Sequence, residues 1–157
     1  AYGPLRLELR FPINPDGRTE PLVSTGVPQA GDLLAVTYRG REAVRFTFDH
    51  WGHGATTTDW LPVDFDRPHT LEISFGGLMP AKGHALLAGI PAHEKRLLRD
   101  RLLVRLNGEI VLDGLKPAYA SSPYDVFVGR NLIGSTLAGP IFTGEILRAE
   151  RLPLSPP

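Results

Sequence analysis

The chain has no cysteine and one methionine in 157 residues. The missing thiols exclude disulfide staples, Cys-based zinc sites and a cysteine nucleophile. Neither sign of charge is in excess, with 17 Lys plus Arg against 17 Asp plus Glu. That balance gives no electrostatic pull toward nucleic acid or anionic lipid. No apolar run approaches the ~20 residues of a membrane span, so no membrane insertion is expected of this segment. No signal-peptide pattern opens the sequence, and Ala1-Tyr2-Gly3-Pro4 in place of an initiator Met fits a processed product or an excised domain. No Gly-x-Ser-x-Gly elbow and no phosphate-binding glycine loop is found.

The sequence does have a normal hydrophobic share, 42%, enough for a real core. Gly (17) and Pro (15) exceed the usual share and are spread along the chain, which reads as many turns rather than disorder. The length fits one domain over residues 1–152, followed by a tail or linker at 153–157.

Period-two alternation marks the strands. Residues 5–11 place Leu5, Leu7, Leu9 and Phe11 on one face and Arg6, Glu8 and Arg10 on the other. Asn14-Pro15-Asp16-Gly17 is a turn signal, and 21–25 is a short candidate strand. Residues 33–39 and 43–49 form a pair around Gly40, and 69–75 repeats the pattern with His69 inward. Residues 77–101 break the rhythm. They read as an insertion with two or three helical turns over 91–101. Asn107-Gly108 then joins 102–106 to 109–113 as a hairpin. A simple register sets Leu106 opposite Glu109 and Val104 opposite Val111, with Leu103, Ile110 and Leu112 on the other face. Both faces are then partly apolar, so the insertion is the expected cover for the second. Strands at 126–129 and 142–147 close the series. The whole pattern predicts an all-β sandwich.

The order of these segments resembles the concanavalin A-like lectin/glucanase superfamily, most nearly laminin-G-like domains. The resemblance rests on residues 5–11, 32–48, 67–73, with Pro68 where a Trp often stands, and 104–113 with 128–129 and 142–146. It implies a two-sheet antiparallel jelly-roll sandwich with a short helical insertion. The superfamily holds glycan binders, protein-interaction modules, calcium-dependent receptors and glycosidases, so fold does not decide function.

Asp49-His50-Trp51-Gly52-His53-Gly54 is the densest cluster of reactive side chains, and Asp59-Trp60 follows closely. Indole rings stack on the apolar faces of sugars while Asp and His bond their hydroxyls. Candidate ligand contacts are therefore His50, Trp51, His53, Asp59 and Trp60, with Arg130 and Asn131 from a later loop. The same residues have a plain structural reading, as core plugs and turn caps. Asp49 and Asp59 are the metal candidates, with Asp64 and Asp66 as further oxygen donors. The family resemblance makes calcium the ion to consider. The paired Glu residues of the superfamily's glycosidases are missing: residues 71–75 hold one Glu and no partner. The expected function is a non-catalytic binding module for carbohydrate, part of a larger surface or envelope protein, outside the cytoplasm. The alternatives are a structural or protein–protein interaction domain, and a divergent glycoside hydrolase.

Overall fold

The computed structural model describes residues 1–154. The strands are β1 (Leu5–Arg10), β2 (Thr19–Val27), β3 (Ala30–Arg39), β4 (Ala43–His50), β5 (Gly54–Thr57), β6 (Leu61–Pro62), β7 (His69–Ser74), β8 (Arg101–Leu106), β9 (Glu109–Leu115), β10 (Val126–Val128) and β11 (Glu145–Arg151). One α-helix, α1 (Ala92–Asp100), precedes β8. Two antiparallel sheets face each other. One runs β11-β1-β7-β8-β9; the other runs β10-β2-β3-β4-β5, with β6 added beside β4. Among the described residues no helix is long and apolar enough to cross a membrane.

The alternation read in β1 is kept: Leu5, Leu7 and Leu9 are buried and Arg6, Glu8 and Arg10 exposed. With Leu71, Ile73, Leu102 and Val104 they pack against Leu34, Val36, Tyr38, Val44, Phe46 and Phe48 of the second sheet. This is the ordinary sandwich solution, in which each sheet buries one face. β2 and β3 depart from it, for both are buried on both faces over most of their length. The cover is the segment 129–141, which crosses the outer face of the second sheet and packs Ile133 on Leu33 and Ala35. At Gly31 the approach is close: a Cβ there would lie 2.6 Å from the Ile133 side chain.

Four expectations are corrected. β2 is nine residues long rather than the short 21–25, and it absorbs Pro21 at a register shift before Val23. In the 101–115 hairpin Leu106 does face Glu109, but a bulge between Val104 and Arg105 sets Val104 opposite Leu112, not Val111. The extra residue turns Leu112 into the core and leaves Ile110 51% exposed. The insertion covers only the start of this hairpin: α1 closes a small cluster of Met79, Leu87 and Leu98 beside the half-buried Leu103. The last strand begins at Glu145, because residues 142–144 are tied to the other sheet. There Phe142 N–H donates to Gly129 O (2.9 Å) and Thr143 Oγ1 donates to the buried Glu20 (2.6 Å). Of the predicted tail, residues 155–157 lie outside the described residues.

Candidate functional site

β4 carries the site because its two faces do different things. Val44, Phe46 and Phe48 point into the core, and His50 continues that face at the rim of the sandwich. Arg45, Thr47 and Asp49 point outward. The chain then turns back through Trp51-Gly52-His53, with Gly52 and Gly54 at φ 77° and 94°, a region costly for side-chain-bearing residues. Asp49, His50, Trp51 and His53 therefore share one hairpin tip.

Its anchor is Asp32, which pairs with His50 across the β3–β4 ladder and is fully buried. One carboxylate oxygen lies 2.6 Å from His50 Nδ1; the other accepts the Tyr119 backbone N–H at 2.8 Å. Tyr119 in turn donates its hydroxyl to the Trp51 carbonyl at 2.7 Å. The His50 ring is stacked on His53 at 4.7 Å and tilted against Tyr119 at 4.4 Å. Burial pushes the Asp32 carboxyl up to about 6, against the opposing pull of the Tyr119 N–H and His50. The buried acid orients the imidazole and the imidazole carries the exposed ring of His53.

A cavity lies on each side of the tip. One, of 460 Å³, is lined by His50, His53, Thr56 and Lys116 over a floor of Phe48. The other, of 400 Å³, is lined by Asp49, Trp51, Ser135, Thr136 and Leu137. Asp49 accepts the Ser135 hydroxyl at 2.8 Å, and Trp51 rests on Leu33, Ala35 and Ile133. The second wall is thus supplied by the 129–141 segment.

The remaining predicted residues are placed elsewhere. Trp60 sits beside Arg39 and Arg45, whose guanidinium carbons lie 5.0 and 4.6 Å from its ring centre. Asp59 is exposed next to it. Asn131 works within its own loop: Nδ2 donates to the carbonyls of Ser135 (2.7 Å) and Ala138 (3.2 Å), and Oδ1 accepts the Ser135 N–H. It shapes the wall that Ser135 presents. Arg130 is exposed, and its carbonyl accepts the Ser24 hydroxyl. Calcium requires several oxygen donors in one place. Among the described residues no three His, Asp or Glu side chains are so grouped.

Asp32, Lys116, Tyr119 and Ser135 were not found from the sequence. Asp32 had a signal, a lone acid heading the run Leu33-Leu34-Ala35-Val36. Tyr119 and Ser135 had none, since they reach the tip from 68 and 86 residues away.

Among solved structures, the fold is similar to the carbohydrate-binding module CBM40 of the Ruminococcus gnavus IT-sialidase bound to α2,3-sialyllactose. The TM-score is 0.54 at 16% identity, over 97% of this chain and 78% of that one. The same module bound to α2,6-sialyllactose aligns at 0.53 and 14%, over the same shares. The LG4-5 domains of the mouse laminin α1 chain align at 0.44 and 12%, over 95% of this chain and 34% of theirs. No family model matches the sequence, and no curated protein matches it. At such identities the likeness is one of fold, and the fold is the concanavalin A-like jelly-roll sandwich.

Proposed function

We propose that this concanavalin A-like sandwich is a non-catalytic carbohydrate-binding module that takes an oligosaccharide at the β4–β5 tip. One observation carries the reading: Asp49, His50, Trp51 and His53 surround a single rigid turn flanked by cavities of 400 and 460 Å³. These volumes suit a small ligand. The side chains have complementary jobs. The Trp51 and His53 rings offer flat faces to sugar C–H groups. Asp49 and Ser135 accept and donate to hydroxyls, and Lys116 adds donors on the far side. The two carboxylates nearest the tip are poorly placed for glycoside cleavage. Asp32 is buried and held between His50 and Tyr119, and Asp49 is tied to Ser135. Glycosidases need a carboxylate pair facing one bond. The fold itself serves as an oligosaccharide binder in the R. gnavus module, which adds weight to the substrate class.

The test is a glycan array, followed by calorimetry on the best ligand. His53→Ala and Trp51→Ala should each weaken binding by at least about ten-fold, the scale of one lost specific contact. His53 is exposed, so its variant keeps the wild-type melting temperature and separates binding from folding. Wild-type protein that retains no glycan, or full affinity in both variants, refutes the proposal.

A further inference from the structure

Arg39 and Arg45 project from the outer face of the second sheet, with Arg39 opposite Ala43 and Arg45 opposite Thr37. Both lie against the half-buried Trp60. Stacking on an indole explains where the guanidinium groups rest, but it uses none of their five N–H donors. Among the described residues neither arginine has an ion pair or a side-chain hydrogen bond to an acid. Six of the fourteen arginines, Arg6, Arg18, Arg41, Arg101, Arg105 and Arg148, meet a carboxylate among the described residues, so what sets this pair apart is the shared ring and the burial of Arg45 Nε. The Nε of Arg45 is buried without any acceptor. Buried donors are rarely left so, and two unneutralised cations sharing one ring repel each other.

Acids close at hand do not resolve this. Asp59 adjoins Trp60 in the chain and is exposed, yet it forms no ion pair with either arginine. Asp49 lies four residues beyond Arg45 on the same face of β4, roughly 13 Å away at strand rise, and is bonded to Ser135. Between the two lie the hydroxyls of Thr47 and Thr57, 3.0 Å apart.

We propose that Arg39, Arg45 and Trp60 form a subsite for an anionic substituent, a carboxylate or a sulfate ester, on an oligosaccharide whose other end occupies the β4–β5 tip. The inference rests on reading the tip as a sugar site. Each guanidinium fork matches two oxygens of such a group, and stacking on Trp60 holds the forks in place before the ligand arrives. The threonine hydroxyls along the strip meet the sugar units between.

The experiment is a glycan array carrying neutral, carboxylated and sulfated oligosaccharides on matched cores, read with wild type and with Arg39→Gln/Arg45→Gln. Wild type should prefer an acidic glycan over its neutral core by at least about ten-fold, the size of one charge-assisted hydrogen bond. That preference should collapse in the double variant and at about 1 M salt, where the screening length falls to about 3 Å. Binding of the neutral core should be unchanged. Whichever acidic series is retained assigns the anion. If the double variant does not fold, Arg39→Gln alone, at the more exposed position, carries the same test. Equal binding of neutral and acidic glycans, or acid preference surviving the substitutions, overturns this subsite and leaves the tip reading intact. No retention of any glycan overturns both.

Discussion

Asp32→Asn tests the electrostatic frame of the tip. The Asp32 carboxyl titrates at about 6 in the folded protein, against 3.8 for an unperturbed side chain, and burial is the main cause. The native state therefore binds this proton more tightly than the unfolded chain does. A group raised in this way contributes stability that is present below about pH 4 and lost as the pH rises through about 6. The shift of about two pH units corresponds to about 3 kcal/mol at 1.36 kcal/mol per unit. Asn at this position keeps an oxygen for the Tyr119 N–H and cannot ionise. Its amide takes the place of the second carboxylate oxygen beside His50 Nδ1. Urea denaturation of both proteins at pH 4, 5, 6 and 7 (about one-unit steps) gives the stability difference at each pH. Other carboxylates cancel in that difference. The wild type should be favoured at the acid end and lose about 3 kcal/mol relative to Asp32→Asn by neutral pH. A difference that stays flat, or that moves toward the wild type as pH rises, refutes the reasoning.

Two further substitutions probe the fold. Leu112→Ala should cost about 2–4 kcal/mol in denaturant titrations and Val111→Ala less than about half of that, because the bulge buries Leu112 in the core while Val111 only packs partly against its edge; the reverse order would restore the simple register. Glu20→Ala should cost about 1–3 kcal/mol, since it strands the buried Tyr38 hydroxyl, whereas the Thr143 N–H and hydroxyl it also pairs belong to an exposed residue and can turn to water. A loss under about 1 kcal/mol would mean that water replaces the carboxylate.

The strands were legible wherever one face meets the core and the other meets water. β1, β4, β7 and β8 alternate in sequence as they alternate in burial. The hairpin turn was legible too, since Asn107 and Gly108 both adopt positive φ, 51° and 86°, which this residue pair tolerates. The bulge three residues later was not, because nothing local distinguishes Val111 from Leu112 as the residue to be squeezed out. Nor was the double burial of β2 and β3, which depends on a cover arriving from residues 129–141.

The candidate site divides along the same line. The composition of the 49–53 turn was open to reading, since adjacent residues on a tight hairpin must be near one another. Trp51 and Trp60 are close in sequence yet are set apart by the length of β4, because an extended strand moves about 3.3 Å per residue. Asp32, Tyr119 and Ser135 join the tip only through sheet pairing and chain crossing. Local geometry, the period of two and the turn residues, is written in the sequence. Which distant side chains complete a site is set by packing, where contacts between far segments form only once the two sheets have closed on each other.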